Sequence, residues 1–572
     1  MRNLRVYITL SLIISMFTTT ACSKDNSPID INWDVPSQDE QEPSEATPKE
    51  NPLVTVWTGE QEINWSKDGC FYTVDAQSFA KVEAGLKIRF NAKNVSVGAI
   101  GNIRKTDWSG MAADIPFAGS FYEWEITEAM AAELKARGCI VGGYGHTLTS
   151  IQLIDPTKIP DVKCQLVTED IKAWEKGSTP IIRINAENRQ TVAFDVTATL
   201  SLRDDHHNYI GELSATENVG AKENKTITFD LSKLMKAPGF YHAIVVANYS
   251  EVCSYNIGYD PEGISSPIDC KSDFDSFWDK AKSELEAVAP EYSISLIPEK
   301  STGARNIYFV EMKSIDNGDG QPVTIRGYLA EPKKAGKYPA VIYQNGYEDT
   351  NIDGNSEFFH WLDTNGNPEW IEFNLSVRGQ GANNRNPYKE TDNIYGDYFA
   401  YNFGNKDRYY YRGAFMDVVR SIDFVMSREN ADKDNVFMAG GSQGGALTIA
   451  GAALDNRLNA IAPTVQFLCD FPDYFQVGTW PGNVAFAKSS ELGISETVMY
   501  EFLSYFDIKN HAKNVTCPVK SVLGLQDDVC PPHTGMSAIN NMGSKEINYA
   551  IDPMNGHNAP NDAMPFFKSH LK

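Results

Sequence analysis

Cysteine and positive charge are both scarce in this sequence, and each scarcity argues against a class of protein. Nine cysteines in 572 residues, none in a C-x-x-C pair, are too few for a disulfide scaffold and form no structural zinc motif. The 51 Lys and Arg residues face 75 Asp and Glu residues, a net charge of −24, which argues against binding to nucleic acid phosphates. Apolar residues make up 42% of the chain, as in globular proteins and not in disordered ones.

Long apolar runs are also missing, and the short one at the N-terminus has a different use. Residues 6–17 are apolar with single hydroxyl residues between them, and they follow Arg2 and Arg5. This length is too short for a membrane-spanning helix and has the proportions of a signal peptide. The segment leads into Thr19-Thr20-Ala21-Cys22, which resembles the bacterial lipoprotein cleavage box, although Thr19 stands where Leu is usual. The alternative is an ordinary signal peptide with an incidental cysteine.

The residues after Cys22 favour the lipoprotein. Residues 23–52 are rich in Ser, Pro, Glu, Asp and Lys, which is the composition of a disordered tether. An anchored protein needs a tether, whereas a freely secreted one does not. We therefore expect residues 1–22 to be a lipoprotein signal peptide with the lipid on Cys22. The protein is then an exported lipoprotein of the outer membrane, facing the periplasm or the cell surface, with the membrane as a partner.

A first module of β-structure is predicted for residues 53–157. Short runs such as 54–57 and 147–154 alternate apolar and polar residues, which predicts strands, and one helix is predicted after Thr127. The module resembles the jelly-roll modules on bacterial surface glycan-degrading enzymes, some of which bind carbohydrate. Three tryptophans are candidates for stacking on sugar rings: Trp57, Trp65 and Trp108. The alternative for each of them is packing in the core or at its rim.

A second β-module is predicted for residues 158–260. Runs such as 181–185 and 226–230 alternate again, with turn residues at regular intervals, which suggests an immunoglobulin-like sandwich. No chemistry is visible in it, and we expect a spacer or a wall against the next domain. Two cysteine pairs lie within single modules, and the sequence leaves their oxidation open: Cys70 with Cys139, and Cys164 with Cys253.

Residues 261–572 alternate strand and helix. Asp273 is predicted to cap a helix whose apolar side recurs at helical spacing from Phe274 to Leu285. Apolar strands are predicted at 338–343 and 436–439, among others, on either side of a long amphipathic helix. Strands that alternate with helices predict a mostly parallel sheet with both faces covered.

One motif in this last region indicates nucleophilic chemistry. Gly440-Gly441-Ser442-Gln443-Gly444 fits G-x-S-x-G, with a buried strand before it and a helix of small residues after it. This strand–turn–helix context lifts a serine hydroxyl above a sheet, and the glycines fit the tight turn. The alternative is a glycine-rich loop that binds an anion, but Ala446 stands near the position where a phosphate loop has lysine.

A serine nucleophile needs a base and an orienting acid, which in this fold follow it in the order acid, histidine. The strand at 519–523 leads into Asp527, and the strand at 547–551 leads into His557. We predict these two residues as the acid and the base. Asp528, the neighbour of Asp527, is the alternative acid.

The region from about Ile268 to the C-terminus resembles the acetyl xylan esterase and cephalosporin C deacetylase family of α/β-hydrolases. The family motifs read as follows here: Asp273-Phe274 with Phe277-Trp278, Arg378-Gly379-Gln380-Gly381, Tyr409-Tyr410-Tyr411-Arg412, Gly441-Ser442-Gln443-Gly444-Gly445, and Asp527 with Cys530-Pro531-Pro532. One departure is Asn558, where the family has Glu after the histidine. The whole chain is thus expected to be multidomain, with two all-β sandwiches before an α/β-hydrolase domain.

The resemblance implies an esterase that removes acetyl groups from acetylated xylan, xylo-oligosaccharides or similar sugars. It implies that the backbone N–H groups of Gln443 and Tyr347 bind the oxyanion. Arg378, Gly379 and Gln380 are expected to be structural. The chemistry requires no metal or cofactor, and neither the polymer nor the oligomeric state follows from the sequence.

Two other functions fit parts of the pattern. A serine peptidase of the prolyl oligopeptidase type has the same fold and triad order, but neither β-module repeats like the blades of a propeller. A surface glycan-binding protein with an inactive hydrolase domain is the second alternative, and an intact Ser442, Asp527 and His557 argue against it.

Lipidation at Cys22 is testable in a bacterial host that processes lipoproteins. We expect the wild-type protein to partition with membranes and Cys22→Ser to be recovered in the soluble fraction, because the variant has no thiol to carry the lipid. Equal partitioning of the two proteins, measured by fractionation and immunoblotting, would contradict the lipoprotein interpretation.

Overall fold

The computed structural model describes residues 52–65, 67, 69–95, 99–117, 120–347, 369–384 and 394–572. The described residues belong to one compact unit. The predicted signal peptide, the lipidation site Cys22 and the tether up to residue 51 lie outside the described residues. Among the described helices, none combines the length and the apolar character that a bilayer crossing requires.

The first β-rich module consists of two antiparallel sheets around one core. Its strands are β1 (Leu53–Ile63), β2 (Tyr72–Val74), β3 (Lys87–Lys93), β4 (Ile100–Arg104), β5 (Ile115–Pro116), β6 (Phe121–Glu125), β7 (Cys139–Tyr144) and β8 (His146–Ile154). The sheets have the orders β1-β8-β3-β6 and β2-β7-β4-β5, and buried residues of both sheets form one cluster. The predicted helix is α1 (Glu128–Arg137), and Thr127 caps it by accepting a hydrogen bond from the Met130 N–H at 3.2 Å.

The second module also has two sheets. Its strands are β9 (Val162–Leu166), β10 (Ala173–Trp174), β11 (Ile181–Asn188), β12 (Phe194–Asp204), β13 (Tyr209–Val219), β14 (Asn224–Asp230), β15 (Gly239–Ala247) and β16 (Ser250–Tyr259). They are ordered β14-β11-β9 and β10-β16-β15-β12-β13. Their buried residues form a single hydrophobic cluster with those of the C-terminal domain, so this module shares a core with its neighbour. None of the eight described cysteines forms a disulfide.

The C-terminal domain is built on a nine-stranded sheet of described strands. These are β17 (Ser293–Leu296), β18 (Arg305–Ser314), β19 (Val323–Pro332), β20 (Tyr338–Gln344), β21 (Ile371–Ser376), β22 (Ala431–Gly441), β23 (Ala460–Thr464), β24 (Val519–Gly524) and β25 (Ile547–Asp552). The order is β17-β18-β19-β21-β20-β22-β23-β24-β25. The six strands from β21 to β25 are parallel, and the others are antiparallel. The predicted parallel sheet is thus confirmed for its larger part.

Described α-helices precede, connect and follow these strands. They are α2 (Phe274–Ala287), α3 (Tyr410–Ser427), α4 (Gln443–Leu454), α5 (Phe471–Val477), α6 (Gly482–Leu492), α7 (Glu496–Leu503), α8 (Ile508–Ala512), α9 (Pro532–Asn540) and α10 (Met564–Ser569). The predicted cap of α2 needs a correction. Asp273 precedes the helix, but its carboxylate makes no cap hydrogen bond and instead accepts hydrogen bonds from Lys406 at 2.7 Å and from Tyr505, which ties α2 to distant loops.

A buried histidine joins the second module to the C-terminal domain. The imidazole of His533, at the start of α9, pairs with Asp205 between β12 and β13, and lies 3.0 Å from Asp473 of α5. His206 contacts Asp473 at 2.6 Å. Burial lowers the pKa of His533, but hydrogen bonds to the two carboxylates and their charges raise it to about 10. His533 is therefore a cation at neutral pH.

We expect the stabilising effect of His533 to depend on pH. Because its pKa is raised from an unfolded value of 6.5 to about 10, the effect is complete below the lower value and is lost as pH rises through the upper one. At neutral pH, His533→Gln leaves the partly buried carboxylates of Asp205 and Asp473 without this cation, which costs about 1–3 kcal/mol. Thermal unfolding of both proteins from acidic to alkaline pH measures this, and a difference that stays constant across the range would contradict the assignment.

Candidate active site

The serine of the predicted strand–turn–helix motif, called the elbow below, has an unusual backbone conformation. Ser442 lies between β22 and α4 with φ 59° and ψ −123°, a region that residues other than glycine rarely adopt. Its N–H donates to the Thr464 carbonyl at 2.9 Å, and its carbonyl accepts from the Phe467 N–H at 3.0 Å. The strands and loops around the turn therefore hold the strain, as is common at functional sites.

Close backbone contacts beneath the elbow explain its glycines. A Cβ atom on Gly444 would lie 2.1 Å from the Gln344 carbonyl oxygen at the end of β20, and one on Gly440 would lie 2.5 Å from the Gly444 oxygen. No side chain fits at these distances without moving the backbone. The helix after Ser442 therefore packs directly against the end of the neighbouring strand.

The structure brings the predicted acid and base together. His557 Nδ1 lies 2.9 Å from Asp527 Oδ2 and 3.1 Å from Oδ1. The side chain of Asp527 is fully buried, and its Oδ1 also accepts from the backbone N–H groups of Val529 and Cys530, each at 2.9 Å. The histidine side chain keeps 32% of its surface exposed. Asp528 is exposed to solvent.

The buried thiol of Cys530 lies beside Asp527 and Ser442. Burial, together with the charge of Asp527, raises the pKa of the Cys530 thiol well above its usual value, and hydrogen bonding to the Ser442 and Tyr474 side chains offsets part of this. The thiol therefore stays protonated near neutral pH. Cys530 contributes packing and a weak hydrogen-bond partner beside the serine, and its thiolate is not available as a nucleophile.

The two residues predicted to supply oxyanion donors follow the C-terminal ends of two central strands of the sheet. β20 and β22 are parallel neighbours, with Gln344 opposite Gly440, so the residues that follow them meet above the same strand ends. Gln443 is the first residue of α4, and Tyr347 follows β20. The Tyr347 hydroxyl donates to Asp397 and accepts from the Phe399 N–H, both at 3.2 Å, which fixes the Tyr347 side chain.

Arg378 and Gln380 link the elbow to the rest of the domain. The guanidinium of Arg378 is fully buried and donates to Asp417 of α3 at 2.6 and 2.9 Å. The Gln380 and Gln443 side-chain amides bond to each other in both directions, at 3.1 and 3.0 Å. Gly379, which lies between Arg378 and Gln380 in the chain, has a φ of 72°. Its carbonyl accepts a hydrogen bond from the Tyr398 hydroxyl at 2.7 Å.

The three tryptophans of the first module differ in their surroundings. Trp57 is partly buried, packs against the core and donates from Nε1 to the Tyr72 hydroxyl at 2.9 Å. Trp65 and Trp108 are 48% and 51% exposed. Phe71 is also exposed, with its ring 4.7 Å from that of Trp108.

Some contacts around the site were not predicted from the sequence. The Tyr474 hydroxyl donates to the Val529 carbonyl in the loop that carries Asp527, and the Tyr411 hydroxyl donates to the Gln443 side chain at 3.2 Å. The run of tyrosines at the start of α3 was a visible signal for Tyr411, whereas Tyr474 belongs to no motif. Within the described ranges, no three His, Cys, Asp or Glu side chains form a group suited to a metal.

A strained serine after a central parallel strand, together with a histidine paired to a buried acid, defines a serine hydrolase with the α/β-hydrolase fold. The sequence model of the family described as "Acetyl xylan esterase (AXE1)" matches residues 265–570, just over half of the chain. The chain belongs to the acetyl xylan esterase family. It is a serine carbohydrate esterase and hence a carboxylic ester hydrolase, and neither the peptidase nor the inactive glycan-binding alternative is favoured.

Similar proteins cover the same region. The chain is 29% identical over 331 residues to "Acetyl esterase Axe7A" of Xylanibacter ruminicola. The matched region covers 56% of this chain and 72% of that protein. The crystal structure of acetyl xylan esterase 1 from Thermoanaerobacterium sp. JW/SL YS485 is 24% identical with a TM-score of 0.48, over 55% of this chain and 98% of that one. The acetyl xylan esterase from Paenibacillus sp. R4 is 26% identical with a TM-score of 0.48, over 54% and 98%.

Proposed function

We propose that the protein removes O-acetyl groups from acetylated xylan, xylo-oligosaccharides or similar sugars, through an acetyl-enzyme on Ser442. The observation that carries the proposal is the contact of 2.9 Å between His557 Nδ1 and the buried carboxylate of Asp527. Family membership supports an acetyl ester as the substrate, as do the names of the relatives, which include an acetyl esterase and acetyl xylan esterases.

The first half of the proposed reaction forms the acetyl-enzyme. His557 takes the proton of the Ser442 hydroxyl as the serine oxygen attacks the acetyl carbonyl. Asp527 fixes the ring by accepting from Nδ1, which leaves Nε2 as the base, and it stabilises the imidazolium that forms. Since the Asp527 side chain is fully buried, its charge acts on the histidine with little screening by water.

The tetrahedral oxyanion requires donors that are already in place. We assign this role to the backbone N–H groups of Gln443 and Tyr347, which follow the parallel strands β22 and β20. The N-terminus of α4 adds a positive dipole end at the same point. Removing one such donor in other hydrolases costs about 10²- to 10³-fold in turnover.

The second half of the reaction returns the free enzyme. His557 protonates the leaving sugar oxygen, and a water molecule then attacks the acetyl group with the histidine again as base. Arg378, Gly379 and Gln380 take no part in these proton transfers. They hold Gln443 and the elbow in position through the buried pair with Asp417 and the reciprocal bonds between the glutamine side chains.

The choice of acid is tested by two neighbouring substitutions. We expect Asp527→Asn to lower kcat on 4-nitrophenyl acetate by about two to four orders of magnitude, because the amide no longer holds the productive tautomer. Asp528→Asn serves as the matched control and should stay within roughly tenfold, or about 1.4 kcal/mol, because its side chain faces solvent. A crippled Asp528→Asn with an active Asp527→Asn would overturn the assignment.

The first module is proposed to be a jelly-roll-like sandwich that binds the polysaccharide. Trp65, Phe71 and Trp108 expose aromatic rings on it, and aromatic faces suit the apolar faces of sugar rings.

The second module is proposed to be immunoglobulin-like. We also propose that Cys22 carries a lipid that anchors the enzyme in the outer membrane, where an extracytoplasmic polymer is within reach.

Sugar binding by the first module is tested with the double variant Trp65→Ala, Trp108→Ala. Each stacking contact is worth about 0.5–1.5 kcal/mol, so we expect binding to insoluble acetylated xylan to weaken about fivefold or more. Hydrolysis of 4-nitrophenyl acetate should not change. Tyr209→Ala, which removes an aromatic ring of similar exposure from the second module, is the control. Equal binding by both variants would rule out the tryptophans as a sugar platform.

A further inference from the structure

The second module contacts the loop that carries Asp527. The edge contact is made by Asn256 on β16 and Gln526, the residue before the acid. The Asn256 N–H donates to Gln526 Oε1 at 2.8 Å, and Gln526 Nε2 donates to the Asn256 carbonyl at 3.0 Å. The Asn256 side chain donates to the Leu525 carbonyl at 3.1 Å. A side-chain amide thus pairs with a strand of another module as a further strand would.

The same glutamine also reaches the loop that leads to His557. Gln526 Nε2 donates to the Pro553 carbonyl at 2.9 Å, and the Gln526 N–H donates to the Asn555 carbonyl at 3.1 Å. One residue therefore joins three segments: the second module, the loop that carries Asp527 (the acid loop) and the loop that carries His557 (the histidine loop). The Asp527–His557 contact is made between two of these segments.

A second contact holds the other end of the acid loop. His533, six residues after Asp527, is paired with Asp205 of the second module and with Asp473. Between the two contacts lies a cavity of about 390 Å³, lined from one side by Tyr241 and His242 and from the other by Asp528 and Pro531. The acid loop thus spans an open space and meets the module mainly through polar contacts near its two ends.

Within the C-terminal domain, the loop of Asp527 is held by the Tyr474 hydroxyl, which donates to the Val529 carbonyl, and by its own turn. The N–H groups of Val529 and Cys530 bind Asp527 Oδ1, and both belong to the loop that they orient. The position of this loop relative to β16 is set by Gln526 and His533. If the loop shifts, the carboxylate moves with it and the imidazole contact changes.

We propose that the second module is part of the catalytic unit, and that Gln526 and Asn256 are positioning residues that act through Asp527. This rests on the proposed roles of Asp527 and His557. A misplacement of about 1 Å in an active site costs as much as 10²-fold in rate. Loss of the Gln526 side-chain contacts is therefore expected to reduce turnover without any change in the reacting groups.

The test uses the full-length protein and 4-nitrophenyl acetate, which needs little sugar recognition. We expect Gln526→Leu to lower kcat about tenfold or more with KM changed less than about twofold. Asn256→Ala keeps the backbone bonds and removes two side-chain bonds, one to the Leu525 carbonyl and one with His242, so a drop of about fivefold is expected. Asn218→Ala, an exposed asparagine on β13 of the same module, should match the wild type. Titration of reactive Ser442 with a serine-directed inhibitor corrects each rate for misfolded protein.

A double-mutant cycle separates positioning from a merely structural role. In an Asp527→Asn background, Gln526→Leu should cause little further loss of kcat, since the group through which it acts is already disabled. A full, multiplicative loss in that background would overturn the proposal, as would wild-type kcat in both single variants. The Asp527→Asn arm stands by itself: if that variant is fully active, the proposed triad is wrong, whatever the other variants show.

Discussion

The contact between Asp527 and His557 depends on how closely two loops approach beyond the ends of β24 and β25. These strands are parallel neighbours with Gly524 opposite Asp552. A Cβ atom on Gly524 would lie 2.1 Å from the Gly556 carbonyl oxygen, so any side chain there pushes the loops apart. The acid and the base sit a few residues further along these loops. The absence of side chains at Gly524 and Gly556 is therefore a condition for the hydrogen bond between Asp527 and His557.

Buried polar contacts hold the rest of the site around this approach. On the serine side, Arg378 and Asp417 form an ion pair with no solvent exposure, and Gln380 connects that region to Gln443. On the acid side, Gln526 and His533 connect the loop to the second module. Breaking a buried pair by removing one partner costs about 3–5 kcal/mol, so these contacts tolerate little change. The second module thus shares both a hydrophobic core and these polar contacts with the C-terminal domain.

Local patterns in the sequence predicted much of the C-terminal domain. Apolar periodicity indicated α2, α3 and the central strands, and the positions of Ser442, Asp527 and His557 followed from strands that end in loops. The structure differs where long-range contacts decide. Asp273 has the residue type of a helix cap, but Lys406 and Tyr505 provide better partners for its carboxylate. Asn256 and Gln526 are 270 residues apart, and neither has a neighbouring pattern from which their contact follows. Trp57 and Trp108 look alike in sequence, and only packing distinguishes the half-buried ring from the exposed one.

The central claim is that an acetyl group passes through Ser442. Rapid acid quenching during turnover of an acetylated xylo-oligosaccharide, followed by peptide mapping in a mass spectrometer, measures this directly. We expect a mass increase of one acetyl group on the peptide that contains Ser442 and no such increase in Ser442→Ala, which should also release no acetate. Acetate release by Ser442→Ala at the wild-type rate, or an acetyl group found on another side chain during productive turnover, would contradict it.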